Sequence, residues 1–454
     1  MPSENTTARF AAFAHDLKLV DIPAAVQDAA KRAILDWAGV ALAGSAQPLA
    51  DALVAAKRAD TGAVTIVGRK ATAGIETAAL INGAAAHALD FDDYLAEGVI
   101  HASAGLAAAL LAVAEDRRST GEDFLTSFVA GYEVHAHLST VIGHPLIYKG
   151  FHPTGVLTHL GSAAGAGKLI GLDTPGLATC LGIAATQAAG LLASFGTMGK
   201  PLHAGKAAAD GVLSALLAEA GFTGNSRVLD GERGLPAVLA GADPERPLGR
   251  ELGSRWLLLD NAIKPYAACG AIHAAIDGAI ALSEEVRPER IERVECAVSS
   301  VTVHSAGIPA PATGLEGKFS TQYAVASALL SGQSSAPDFT DGAVRRPDVR
   351  ELTARVALLD TYERITEAEV RVAHSDGSVI ERKVDWAKGS PGNPMTYSDT
   401  VGKFLGLAEP VLGERRARAV VSLIDTLDEQ PDAGRLAESL ALPRSTADTS
   451  GGAA

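Results

Sequence analysis

Seven Ala- and Gly-rich segments, each with apolar residues recurring at spacings of three and four, fill the chain at 22–43, 75–88, 102–114, 121–141, 158–170, 176–193 and 204–220. That period is the signature of helices buried along one face or all round. Small side chains let helix axes approach closely, and the 5% aromatic content suits a helix-on-helix core better than a sheet sandwich. The exception is the β-branched run AVTIV at 63–67, which reads as a hairpin or an edge piece.

The texture changes after Lys264. A helix is expected over 273–283 and another over 324–330, while 291–303, 353–358, 367–373 and 379–384 carry strand-like patterns, the last two joined as a hairpin through Ser375, Asp376, Gly377 and Ser378. Helical texture returns over 400–440, and 444–454 reads as a loose polar tail. The expected fold is mainly α: a large all-helical domain at 1–264, completed by 395–454, plus a smaller α+β lid domain at 265–394.

Charge and cysteine usage narrow the partners. The formal charge is −14 and the longest basic tracts are pairs such as Arg345-Arg346, so the footprint of a nucleic-acid binder is missing. Cys180, Cys269 and Cys296 are odd in number and lack CxxC spacing, against both a zinc cluster and a disulfide framework. The expectation is a reducing cytoplasm. No apolar run approaches membrane-spanning length, and the first residues lack the basic-then-apolar order of a signal peptide.

Gly161 to Lys168 superficially resembles a phosphate loop. It fails because Ser162 and Leu169 stand where a Walker loop needs Gly and Ser or Thr, so close helix packing explains the glycines better. Asp90, Asp92 and Asp93 repel one another unless paired or solvated. Three readings compete there: a magnesium site, which would want further carboxylates and usually a phosphate substrate, a solvated helix end, or an acid/base pair with His101. His152 sits in a Gly/Pro-bounded turn before an apolar helix, and Lys200-Pro-Leu-His203 and Lys264-Pro-Tyr each begin another. Each is also compatible with a mere helix start. Together they supply cations for a carboxylate substrate and, when desolvated, lysines able to move protons. Tyr323 opens a further helix, where a buried tyrosine with a satisfied hydroxyl is the plainer reading.

In order along the chain stand ALDFDDY (88–94), His101-Ala102-Ser103, GFHPTG (150–155), GKPLHAGKAA (199–208), KPYAACGAIHAAID (264–277), GKFSTQYAVASALLSG (317–332) and GNPMTYSDTVGKF (392–404). With these strings the sequence resembles the MmgE/PrpD superfamily, which includes 2-methylcitrate dehydratase, cis-aconitate decarboxylase and iminodisuccinate epimerase. The resemblance implies a helical domain with a smaller lid, a cleft between them, a homodimer, and chemistry without metal or organic cofactor. It implies Asp90, His101, His152, Lys200 and Lys264 as catalytic groups, with Tyr94, His203, Cys269 and Tyr323 at the substrate. Tyr94 and Cys269 depart from the decarboxylase-like pattern, which has Thr and His there, and one residue is inserted before His101.

The expected activity is abstraction of a proton beside a carboxylate of a small di- or tricarboxylate. His101 oriented by Asp90, facing Lys200 or Lys264, is the expected arrangement. The two departures place an iminodisuccinate-type epimerase first, ahead of a 2-methylcitrate-type dehydratase or a cis-aconitate-type decarboxylase. A non-catalytic helical binding protein is the alternative of a different class, and the presence of all the candidate polar groups argues against it.

Overall fold

The computed structural model describes residues 5–246 and 248–443, so the expected polar tail lies outside the described residues. It is mainly helical. The first half contains α1 (Thr6–Asp16), α2 (Ala24–Ser45), α3 (Pro48–Ala56), α4 (Ile75–His87), α5 (Ser103–Arg117), α6 (Gly121–Tyr148), α7 (Pro153–Leu169), α8 (Thr174–Ala185) and α9 (Gly199–Glu219). The 63–67 run forms a hairpin as expected, with β1 (Val64–Thr65) antiparallel to β2 (Thr72–Ala73). A second two-residue pair, β3 (Tyr94–Leu95) against β4 (Asn261–Ala262), interrupts what the sequence presents as all-helical.

Close packing follows from the small residues. A Cβ on Gly205 of α9 would lie 2.3 Å from the Leu80 carbonyl oxygen of α4, and one on Gly83 would lie 3.1 Å from the Gly205 Cα. The two helices therefore cross almost backbone to backbone. About one turn from that crossing, His87 at the end of α4 meets Lys200 at the start of α9. The Gly161–Lys168 string lies inside α7, buried apart from its last residue, where glycines face α6 and α5.

One apolar core joins α1, α2, α4 to α9 and the C-terminal helices Tyr397–Leu412, Glu414–Asp425 and Gly434–Leu440. The last group packs on α2, where Phe404 touches Gly39. A second core gathers α10 (His273–Leu282) and the helix Thr321–Ser331 against a four-stranded mixed sheet. Its strands are β5 (Ile291–Ser299), β6 (Val356–Tyr362), β7 (Ala368–His374) and β8 (Val379–Val384), ordered β6-β5-β7-β8. Only the β5–β6 pair is parallel. Residues 300–306 are helical rather than a continuation of β5, because Ser299 caps Thr302 and starts a helix. Among the described residues no single helix is long and apolar enough to cross a membrane.

Candidate active site

The loop after α4 is the foundation of the site, and it is held by lysines. Lys318 Nζ donates to the Leu89 carbonyl at 2.7 Å, Lys264 to the Asp90 carbonyl at 2.8 Å and Lys403 to the Phe91 carbonyl at 2.7 Å. Three successive carbonyls are thus each gripped by a buried ammonium from a distant segment. This fixes Asp90 in the left-handed region at φ 50°, a conformation costly for a non-glycine residue unless its surroundings enforce it.

Asp90 Oδ1 receives Lys264 at 2.9 Å and Lys200 at 3.0 Å, and lies 3.5 Å from His101 Nε2. Burial alone would raise this carboxyl, but Lys200 and Lys264, with the two histidines, hold it well below the usual carboxylate range. Asp92 faces two imidazoles: His87 Nδ1 at 2.9 Å and His101 Nδ1 at 3.1 Å. Burial opposes its charge too, and His87 and His101 overcome it to keep the carboxyl well below its ordinary value. Burial also pushes His101 down to about 3 despite Asp92, so this ring is neutral at pH 7. Its Nδ1 lies beside Asp92 without a hydrogen bond to it and its Nε2 beside Asp90, so the neutral ring keeps a lone pair able to act as a base.

His87 completes the cluster, and the sequence reading did not single it out. Its Nδ1 faces Asp92 while Nε2 lies 2.9 Å from Lys200 Nζ, so the ring accepts from the ammonium and donates to the carboxylate. Two of the three Lys200 N–H bonds are taken by His87 and Asp90, and one remains for a ligand. Phe195 and Phe319 each stand with their ring centre 5.1 Å from that ammonium. The one signal that would have found His87 is its place five residues before Asp92 at the end of an apolar helix. Lys318, pulled down to about 7 by burial, and Lys403, paired with buried Asp36 at 2.6 Å, escaped notice because their partners lie more than 200 residues away in sequence.

A narrow cleft, with a cavity volume of about 40 Å³, opens above this cluster. Tyr94, His101, His152, Lys200 and Cys269 all line it; the rest of the wall is largely apolar and includes Val99, Ile147, Phe195 and Phe319. The other expected residues are placed differently. Lys264 is fully buried on the far side of Asp90, so it acts on the cluster through that carboxylate. His203 stands behind His152, Nδ1 to Nδ1 at 3.0 Å. Tyr323 is packed in the second core against Phe339, and its hydroxyl donates to the Asp338 carbonyl. Asp93 turns from the cleft to accept from Ser103 and from Asn261 at 2.7 Å, and burial, reinforced by Asp36, pushes it up to about 7. Tyr94 Oη and Asp90 Oδ2 are buried with no hydrogen-bond partner among the described residues.

His87, Asp90, Asp92 and His101 bring ligand-type atoms within 4.8 Å of one another. Some of these atoms are engaged, Asp90 Oδ1 by two ammoniums, His87 Nε2 by Lys200 and His87 Nδ1 by Asp92, while Asp90 Oδ2 and His101 Nδ1 have no hydrogen-bond partner among the described residues. A cation seated here would stand against the positive charges of Lys200 and Lys264.

Neutral imidazoles, a buried carboxylate and ammonium groups beneath a partly apolar cleft are the groups that acid/base chemistry on a carboxylate requires. The chain matches the family models for the MmgE/PrpD N-terminal domain over residues 8–247 and the MmgE/PrpD C-terminal domain over 266–429. It belongs to the MmgE/PrpD family. It is 30% identical over 470 residues to cis-aconitate decarboxylase of Mus musculus, covering 98% of this chain and 95% of that protein. The Homo sapiens cis-aconitate decarboxylase is 30% identical over 455 residues, 95% and 94% of the two chains. That of Aspergillus terreus is 30% identical over 473 residues, 96% of each.

Proposed function

We propose that the protein is a lyase that removes carbon dioxide from a small unsaturated di- or tricarboxylate of the cis-aconitate type. The observation that carries this reading is the mixed lining of the cleft. Lys200, His101 and His152 share it with apolar side chains, among them Val99, Ile147, Phe195 and Phe319. A carboxylate pressed against apolar side chains loses its hydration, while a second carboxylate is neutralised by Lys200. The C–C bond to the first then breaks, its electron pair spreads into the double bond and the second carboxylate, and a proton closes it as a new C–H bond. Lys200, with its uncommitted N–H, holds the second carboxylate, and Tyr94 Oη and Asp90 Oδ2 are the buried polar atoms left to meet the substrate's remaining oxygens. The cis-aconitate decarboxylase activity of the relatives favours this outcome over the epimerisation that Tyr94 and Cys269 favour.

The test is incubation with a panel of small polycarboxylates in deuterated water, followed by mass spectrometry. The expected result is carbon dioxide and one deuterium on a product carbon. Release of water, or an inverted stereocentre with an intact skeleton, would move the protein to the dehydratase or epimerase branch.

We propose further that turnover needs no metal, since Lys200 and Lys264 already place positive charge on Asp90 at the centre of the His87/Asp90/Asp92/His101 cluster. Exhaustive chelation should leave the rate unchanged. Activity lost to the chelator and restored by a divalent cation would overturn this.

A further inference from the structure

Loss of carbon dioxide from a carboxylate consumes one proton in each turnover, whereas dehydration and epimerisation consume none. A cleft walled by apolar side chains and buried imidazoles must then be resupplied with protons from solvent. The structure holds a connection of the right kind. His152, the residue before α7, lines the cleft and is 2% exposed. Its Nδ1 lies 3.0 Å from Nδ1 of His203, on α9, which is only part-buried. Two nitrogens of the same type at that distance share one proton: one ring donates Nδ1–H and the other accepts.

The surroundings keep both rings neutral and therefore able to pass a proton on. Burial, with Lys200 and the imidazoles of His87, His203 and His101, holds His152 well below its ordinary value. Burial, with His87, Lys200 and His159, takes His203 down to about 4. The pair is fixed in place. The Phe195 ring stands edge-on to His152 at 5.0 Å, His87 stacks on its other side at 5.8 Å, and the His152 amide donates to the Gly190 carbonyl at 3.0 Å. One helical repeat further along the same two helices, His159 Nε2 meets Asp210 at 3.0 Å and Lys206 meets the same carboxylate at 2.7 Å, which pins α7 against α9.

We propose that His203 and His152 form the proton supply line of the cleft, with His203 as a relay residue that never touches the substrate. A solvent acid protonates His203, the shared proton moves to His152 Nδ1, and His152 releases a proton into the cleft. There it joins the electron pair left by carbon dioxide and becomes the new C–H bond. Only N–H bonds break and form along the line; each passage leaves the two rings in exchanged tautomers, and a half-turn of both rings about Cβ–Cγ resets them before the next turnover. The need for such a line rests on the decarboxylation reading, but the hydrogen-bonded pair does not.

The experiment compares the intact wild-type protein with His203→Gln and, as a second variant, His203→Asn. In weak buffer kcat should fall by about a hundredfold, the lower end for a lost proton-transfer group, with KM little changed. Raising the concentration of imidazole should restore kcat saturably. In ligand-free protein with nitrogen-15 histidine, exchange of the His152 ring N–H with water, read by NMR, should slow at least tenfold in both variants. Unchanged exchange overturns the relay whatever the activity. So does a kcat loss that imidazole fails to restore, which would make His203 a packing residue. A wild type that releases no carbon dioxide defeats the functional reading alone, because the exchange measurement still decides whether protons pass through His203.

Discussion

Lys200→Met is expected to lower kcat by about 10²- to 10⁴-fold, the range for loss of a positioned acid/base group. The protein should remain folded. Met matches the length of the lysine stem, so no large cavity opens beside Phe195 and Phe319, and Asp90 keeps Lys264 at 2.9 Å. What disappears is the ammonium at the cleft wall and the partner of His87 Nε2. Lys200→Arg separates charge from geometry. The guanidinium restores the charge, but its wider planar fork cannot occupy the point between His87 and Asp90 taken by one nitrogen. It should therefore stay nearly as inactive as Met. Steady-state kinetics with circular dichroism on both variants is the check, and retention of more than about a tenth of wild-type activity by Lys200→Met would return Lys200 to a structural ammonium.

The helices around that site were legible because their packing is local and repetitive. α4, α5 and α9 match the Ala-rich periods to within a few residues at each end. α6 runs on past the expected 141 to Tyr148, through Gly143 and Pro145, because a Cβ on Gly143 would lie 2.1 Å from the Gly98 carbonyl, so the glycine serves a helix–loop contact instead of ending the helix. The segment expected as one helix over 176–193 stops at Ala185, and a short turn at Leu192–Ser194 follows. Residues 347–353 are helical where a strand is expected to begin at 353, since Pro347 pre-sets the first helical turn.

The cleft was legible only as far as residue type and motif reached. Asp90, His101, His152 and Lys200 meet there, and each stands at a turn or helix start where a polar residue interrupts an apolar run. The supporting layer was hidden. His87 lies within a helix that is otherwise apolar around it, and nothing local tells that its two nitrogens bridge Asp92 and Lys200. Lys318 and Lys403 act on carbonyls, which no side-chain pattern reveals. Tyr323 illustrates the reverse. The motif is present, but the chain turns its hydroxyl to Asp338.

Asp90→Asn should be the most destabilising single change in the site, by about 3–5 kcal/mol, because it leaves two buried ammonium groups without their shared counter-charge. The amide keeps the shape of the carboxyl, so neither a cavity nor lost packing enters the comparison. Lys264 is fully buried and Lys200 is 3% exposed, so water cannot replace the missing charge. Activity should fall with stability, since Lys200 loses one of the two contacts that aim it. The pH dependence has a definite sign. The folded-state pKa of Asp90 lies well below its unfolded value of 3.8, so its contribution is fully present above about pH 4 and fades as the pH falls toward the folded value. Wild type should therefore lose more stability than Asp90→Asn as the pH falls below about 4 in urea titrations, and the gap between the two unfolding free energies should narrow by up to about 1.4 kcal/mol per pH unit. A variant within about 0.5 kcal/mol of wild type at pH 7 would overturn the role of the Asp90 carboxylate as the counter-charge shared by Lys200 and Lys264.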